Sequence, residues 1–280
     1  MFDIVIISKN RFSLCYKQVK RIYESGIKYN KIIVVESSEK FPSGYIKELY
    51  KMNVLLLKTP NATLGKARQT GLKSCTTDYI FMIDDDIIFE DSFIKDCYNA
   101  IRKYELIDNV FALSPIIIFG DDEDIKRIFR AKNDKEGVSG GCCILNRNKL
   151  LKIKGYNVDV HIGEDAELFY RGKLSGYKWI RKHDISVNHP LTKKDLIFRV
   201  WKNRYGHYVS IAYGFKTIPL LLIDRVRDII VNVFQVFRVK NLRTTLYIIS
   251  MNFIAIIALI RVMIGGMKYA LYKKKIRKSI

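Results

Sequence analysis

Residues Tyr79–Ile88 read Y-I-F-M-I-D-D-D-I-I. A short apolar run ends on three consecutive carboxylates. The run has the length of a buried strand, which puts the carboxylates at its carboxyl end. Three adjacent negative charges repel one another and cost stability unless a cation is near. A hard divalent ion with oxygen ligands is the natural partner, and Mg²⁺ takes one or two carboxylates together with substrate phosphates. If the extended conformation persists, Asp84 and Asp86 point the same way. The plainer reading is an acidic turn in which Asp85 or Asp86 caps a helix.

Outward from this point the chain alternates. Strand-like runs precede it at Asp3–Ile7, Lys31–Val35 and Val54–Leu57, and another follows at Val110–Ile118. Helical patterns lie near Phe12–Ser25, Ser43–Tyr50, Leu64–Lys73 and Asp91–Tyr104. Such alternation implies βαβ units and an α/β fold with a mostly parallel sheet flanked by helices. Ligands bind beyond the carboxyl ends of the strands of such sheets. Residues 120–137 open with Asp121, Asp122, Glu123 and Asp124 and read as an exposed loop with one short helix. A strand is expected at Cys142–Leu145, with helices near Asn148–Lys154 and Asp165–Ser175.

Three further features carry chemistry or plain structure. Gly163-Glu164-Asp165 opens a helix, where acids also serve simply to meet the dipole. Ser139-Gly140-Gly141 precedes a strand; paired glycines admit a ligand close to the backbone, or make a turn. His189 in V-N-H-P is a candidate metal ligand, although a lone histidine is more often structural. Several sites are excluded. No G-x-G-x-x-G follows the first strand, and no H-E-x-x-H occurs. Leu64-Gly65-Lys66-Ala67 fails as a phosphate loop, because Pro60 and Ala67 stand where Gly and Ser/Thr are required.

Of the 280 residues 49% are hydrophobic, enough for a sizeable core. The net charge is +21, and its location matters. Residues 193–280 hold 18 basic and 3 acidic side chains, on a segment rich in Leu, Ile, Val and Phe. An apolar, basic tail favours an anionic membrane surface over nucleic acid. Apolar positions from Ile218 to Phe237 fall at helical spacing, and residues 244–260 carry no charge. At about 1.5 Å per residue the uncharged run reaches roughly 25 Å, short of the ~30 Å hydrocarbon core. A peripheral or monotopic attachment on the cytoplasmic face is therefore expected. The five cysteines (Cys15, Cys75, Cys97, Cys142, Cys143) follow no disulfide or zinc spacing, and the first ten residues carry no basic leader. Both features suit a reducing compartment and no signal peptide.

The ordered set of motifs resembles the family 2 glycosyltransferases, which have the GT-A fold. The resemblance covers residues 1 to about 210. I-V-I-I-S-K-N-R resembles the opening strand and its nucleotide-contacting loop, which implies donor contacts at Ser8, Asn10 and Arg11. V-V-E-S resembles the second strand end, where Glu36 would meet the base. L-G-K-A-R-Q-T-G-L resembles the segment that places Gly65 and Arg68 near the donor. I-D-D-D-I resembles the family's D-x-D, with Asp84 and Asp85 toward the donor and Asp86, Asp84 and His189 toward a metal. S-G-G-C-C-I-L-N-R resembles the acceptor-side strand, with Gly140 and Gly141. G-E-D-A-E-L resembles the segment that supplies the catalytic base, here Asp165, with Glu164 positioning the acceptor.

The resemblance implies a Rossmann-like GT-A catalytic domain over 1–210, and the charge and apolar spacing imply a helical, membrane-associating tail over 211–280. The implied activity is inverting, Mg²⁺- or Mn²⁺-dependent transfer from a nucleotide-diphosphate sugar to a glycan or lipid-linked acceptor, with no nucleic-acid partner. A polyprenyl-phosphate glycosyl synthase and an inactive nucleotide-sugar-binding scaffold are the alternatives. A nucleotidyltransferase would need a Gly-rich loop where S-K-N-R stands.

Overall fold

The computed structural model describes residues 1–90, 92–107, 109–119, 135–160 and 163–190, and eight single positions between 223 and 260. Two compact units divide the chain: Met1–Ile118 with Ala131–Pro190, and Phe119–Arg130 with Leu191–Ile280.

The first unit is an α/β layer structure. Its strands are β1 (Phe2–Ser8), β2 (Ile32–Glu36), β3 (Leu55–Lys58), β4 (Tyr79–Asp84), β5 (Val110–Phe119), β6 (Lys135–Glu136), β7 (Cys142–Asn146) and β8 (Lys178–His189). Its helices are α1 (Phe12–Glu24), α2 (Ser43–Lys51), α3 (Leu64–Ser74), α4 (Phe93–Ile107), α5 (Arg147–Lys152) and α6 (Glu164–Leu174). The strands and helices expected within the described residues are all present, with ends shifted by a few residues. All of β1 and β2 is buried, as their unbroken apolar runs require of strands covered on both faces.

The sheet order is β3-β2-β1-β4-β7-β5-β8-β6. The first four strands are parallel, with β1 between β2 and β4. Their carboxyl ends bring Ser8, Glu36 and Asp84 to one edge of the sheet. Beyond β4 the direction changes: β7 runs antiparallel to β4 and to β5. The reversal seats Gly141 against the end of β4, where the Asp84 N–H donates to the Gly141 carbonyl at 2.8 Å. Strand β8 has no counterpart in the sequence reading. It ends beside the acidic triplet, where Asn188 bridges Ile88 through two backbone hydrogen bonds of 2.8 Å.

One face of the sheet packs Val5, Ile7, Ile33, Val35, Ile80, Met82, Cys143 and Leu145 against Ala67 and Leu72 of α3 and Leu168 of α6. Each such side chain, fully buried, contributes roughly 1.5–3 kcal/mol. Helix α3 comes close because Gly71 has no side chain; a Cβ there would lie 2.4 Å from Val5 Cγ1. Thr63 caps α3 by accepting from the Lys66 N–H at 3.0 Å. Gly163 enters α6 at φ +86°, a left-handed conformation that suits glycine. Gln69 Oε1 accepts from the Tyr156 N–H at 2.7 Å and so ties α3 to the turn before α6.

All five cysteines are buried and free. Burial pushes the Cys15, Cys75 and Cys143 thiols up to about 12. In the second unit the eight described residues are helical, and Ile223, Val226, Ile230, Phe253, Ile257 and Ile260 are exposed. Among the described residues no helix is long and apolar enough to cross a membrane. Of the expected loop over 120–137, Lys135–Glu136 form strand β6 instead, pairing with β8; residues 120–134, the 210/211 boundary and the two tail segments otherwise lie outside the described residues.

Candidate active site

The acidic triplet leaves β4 with its three side chains in different surroundings. Asp84 is partly exposed and accepts from Arg68 Nη2 at 3.2 Å. Asp85 is turned inward, with its side chain wholly buried and paired to Arg11 Nη2 at 2.7 Å. Burial pushes the Asp85 carboxyl up to about 7, against the pull of Arg11. Asp86 is also nearly buried; its Oδ2 accepts from Arg11 Nη1, and its Oδ1 lies 3.5 Å from His189 Nε2.

Asp84, Asp86 and His189 each offer one ligand atom, all within 4.8 Å of one another. Asp86 Oδ1 is buried and accepts no hydrogen bond among the described residues. Two carboxylates and one imidazole with an unsatisfied oxygen fit a divalent cation of the Mg²⁺ or Mn²⁺ kind.

A second group is joined to the first by Arg68. Its Nη1 pairs with Glu164 Oε1 at 2.9 Å, both side chains being almost wholly buried. Burial alone would lower the Arg68 pKa, but Glu164 and Asp84 hold it well above its ordinary value. Glu164 therefore faces inward, under Arg68. Its neighbour Asp165 is partly exposed. Asp165 Oδ1 accepts from the Ala166 N–H at 2.7 Å, and Oδ2 accepts from the Gly140 N–H at 3.2 Å.

The paired glycines have no room for side chains. A Cβ on Gly140 would lie 2.5 Å from Arg68 Nη1 and 2.6 Å from Asp165 Oδ2, and one on Gly141 would lie 2.8 Å from Asp84 Oδ2. The Gly140-Gly141 backbone thus spans from Asp165 to Asp84.

A third group lies at the end of β2. Glu36 is fully buried. Its Oε1 accepts from Ser38 Oγ at 2.5 Å and the Ser38 N–H at 3.2 Å, and its Oε2 accepts from the Tyr45 hydroxyl at 3.4 Å. Ser38 Oγ in turn accepts from the Asn10 N–H at 2.6 Å. Ser8 is buried and stands in register with Glu36.

Arg11, Asp84, Asp85, Asp86, His189, Arg68, Glu164, Asp165, Gly140 and Gly141 therefore form one connected site. Ser8, Asn10 and Glu36 adjoin it through the loop after β1. Gly65 allows a close approach: a Cβ there would lie 2.1 Å from the Asn157 carbonyl oxygen. The sequence does not single out Ser38 and Tyr45, which hold Glu36; Tyr156, in the G-Y-N that follows S-G-G-C-C-I-L-N-R, is a buried ring with the Arg68 guanidinium 5.9 Å from its centroid. Only the adjacency of Ser38 to Glu36 was there to be read.

A half-parallel sheet with an acidic site at its strand ends, completed by an antiparallel strand and the start of a helix, is an α/β layout of the kind that the GT-A resemblance implies. The family model for glycosyl transferase family 2 matches residues 3–153, and the chain belongs to that family. No curated protein sequence matches it. Among solved structures it resembles a mannosyltransferase from Pyrobaculum calidifontis in complex with GDP-Man and Mn²⁺, with a TM-score of 0.61 at 16% identity over 99% of this chain and 82% of that one. It also resembles S. aureus TarS, with a TM-score of 0.54 at 14% identity over 75% of this chain and 39% of that one. The TarS 1–349 fragment in complex with UDP-GlcNAc gives 0.54 at 12% identity, over 73% of this chain and 66% of the fragment. At these identities the likeness is one of fold.

Proposed function

We propose that the chain transfers a sugar from a nucleotide-diphosphate sugar to an acceptor hydroxyl, with inversion, using Asp165 as general base. The observation that carries this reading is the span of the Gly140-Gly141 backbone. It holds the partly exposed Asp165 carboxylate and the Asp84–Asp86–His189 group on either side of one short segment. Solved structures of the same fold hold GDP-Man with Mn²⁺ or UDP-GlcNAc, which supports a nucleotide sugar as donor.

Asp84, Asp86 and His189 would hold Mg²⁺ or Mn²⁺, whose charge stabilises the diphosphate as it leaves. The remaining work falls to the chain. Arg68 is fixed between Asp84 and Glu164, so its charge stays at the boundary between donor and acceptor sides. Glu164 acts through Arg68. Asp165 is fixed by two backbone N–H groups and retains lone pairs to receive the acceptor proton. The proton passes to Asp165, the acceptor oxygen bonds to the anomeric carbon, and the bond from that carbon to the diphosphate oxygen breaks. Attack opposite the leaving group inverts the centre, with no covalent enzyme intermediate.

The acceptor we favour is a glycan or lipid-linked glycan at the cytoplasmic face of a membrane, with residues 211–280 as a peripheral or monotopic attachment to anionic lipid. The basic excess of 193–280 and the exposed apolar side chains at helical positions 223, 226, 230, 253, 257 and 260 support it. A polyprenyl-phosphate acceptor belongs to the same reading.

Donor screening tests it, with released nucleoside diphosphate as the signal. One donor class should turn over, and Asp165→Asn should lower that rate by roughly 10²–10⁴-fold with donor affinity retained. Near wild-type turnover in Asp165→Asn would leave Asp165 as a helix cap only. Donor binding without turnover in the wild type would favour an inactive scaffold.

A further inference from the structure

We infer that Arg11 is a positioning residue for the metal site and that Asp85 is its buried anchor, neither being a donor contact. The inference rests on the metal reading above and assigns the two residues that reading does not use.

The geometry divides the guanidinium between two carboxylates. Nη2 lies on Asp85 Oδ1, and Nη1 lies on Asp86 Oδ2. Asp86 therefore has its two oxygens committed in different directions. Oδ2 belongs to Arg11, while Oδ1 faces His189 across 3.5 Å. The oxygen that faces His189, and so the one that suits the candidate metal group, is the one Arg11 leaves alone. A planar guanidinium bonded to the far oxygen stops the carboxylate from rotating, which is how an outer residue tunes a metal ligand.

Asp85 completes the arrangement. Its side chain is wholly buried, whereas the Arg11 side chain is 44% exposed. A half-exposed arginine loses rotamer freedom when held in one pose, and a second, buried carboxylate holds it there. The same pairing answers the charge problem of the triplet. Arg11 offsets Asp85 and part of Asp86, and Arg68 pairs with Asp84. The three carboxylates can then stand side by side with only one divalent ion to add. A donor contact asks for the opposite geometry, with guanidinium N–H groups directed outward and Asp85 reachable from solvent.

The test is a Mn²⁺ titration of the full chain followed by electron paramagnetic resonance, with wild type, Arg11→Met, Arg11→Lys, Asp85→Asn and Asp86→Asn. Nucleoside diphosphate affinity is measured separately in EDTA. Arg11→Met should weaken Mn²⁺ binding by about 10–100-fold. Arg11→Lys should recover only part of it, because an ammonium cannot bridge two carboxylates. Asp85→Asn should weaken it less, and should add nothing to Arg11→Met in the double variant. Metal-free nucleotide affinity should not change. Asp85→Asn carries the test if Arg11→Met does not fold, since it keeps both shape and the arginine. Wild-type or tighter Mn²⁺ binding in Arg11→Met or Asp85→Asn overturns the inference. So does loss of metal-free nucleotide affinity with Mn²⁺ binding intact. If Asp86→Asn itself leaves Mn²⁺ binding unchanged, the metal reading has failed, and this inference falls with it.

Discussion

Arg68 and Glu164 form an ion pair of 2.9 Å with 4% and 3% of their side chains exposed. One residue sits on α3 and the other opens α6, so the pair ties these two helices together. Such a pair is expensive to break from one side, because the survivor remains a buried charge; removing one partner costs about 3–5 kcal/mol.

The pair gives stability a pH dependence. Burial pushes the Glu164 carboxyl up to about 7, while Arg68 pulls it down and Asp165 pushes it up. A raised carboxyl pKa means that the folded protein keeps a proton the unfolded chain has released. From roughly pH 4.3, where an ordinary glutamate titrates, to about 7, this group makes stability fall as pH rises, with no further change above. Glu164→Gln should make the fall shallower, as read by urea unfolding across the window, with buried Asp85 supplying the remainder. An unchanged slope would mean that Glu164 titrates as an ordinary carboxylate.

Asp3 has the opposite sign. It is fully buried and accepts from the Thr76 N–H at 2.6 Å, the Thr77 N–H at 3.0 Å and Asn30 Nδ2 at 2.7 Å. Burial pushes its carboxyl up, but the hydrogen bonds outweigh it and hold the pKa below the ordinary value. Its contribution is present above about pH 3.9, the unfolded value, and is lost as pH falls through the folded one. Asp3→Ala should cost about 1–3 kcal/mol at neutral pH, through unsatisfied buried donors. Equal unfolding midpoints in variant and wild type at neutral pH would contradict this.

The strand-end acids were legible because three carboxylates in a row after an apolar run repel one another and call for a cation. The parallel half followed from alternation alone. The order of β7 between β4 and β5 did not, since an apolar run such as Cys142–Leu145 carries no label for its neighbour. Strand β8 was missed because K-W-I-R-K-H-D-I-S-V-N-H mixes charge into a half-covered strand and alternates poorly. That strand carries His189 to Asp86, so the histidine could be read only as a lone candidate. Nor could the sequence tell which of Glu164 and Asp165 faces inward. They are successive residues in the first turn of one helix, and only the position of Arg68 decides.

Gly140→Ala tests the acceptor-side geometry. The added Cβ meets Arg68 Nη1 and Asp165 Cβ, each at 2.5 Å. Asp165 must shift, and a misplacement of about 1 Å costs on the order of 10²-fold in rate. Nucleoside diphosphate release should drop by that order while Mn²⁺ binding persists. Wild-type turnover would mean that the contact between Gly140 and Asp165 is incidental.

Deleting residues 216–280 should release the protein from membranes in cell fractionation. High salt should weaken attachment of the full chain, because basic side chains supply much of it. A C-terminus accessible from outside the cell would instead require a spanning anchor.

The end of β4 should bind a nucleoside diphosphate through a divalent ion held by Asp86, Asp84 and His189. Calorimetry of UDP and GDP with Mn²⁺, on wild type and Asp86→Ala, tests it most directly. One nucleotide should bind the wild type much more tightly with Mn²⁺ than with EDTA. Asp86→Ala, still folded, should lose that difference. Equal metal-dependent affinity in the two proteins would contradict it.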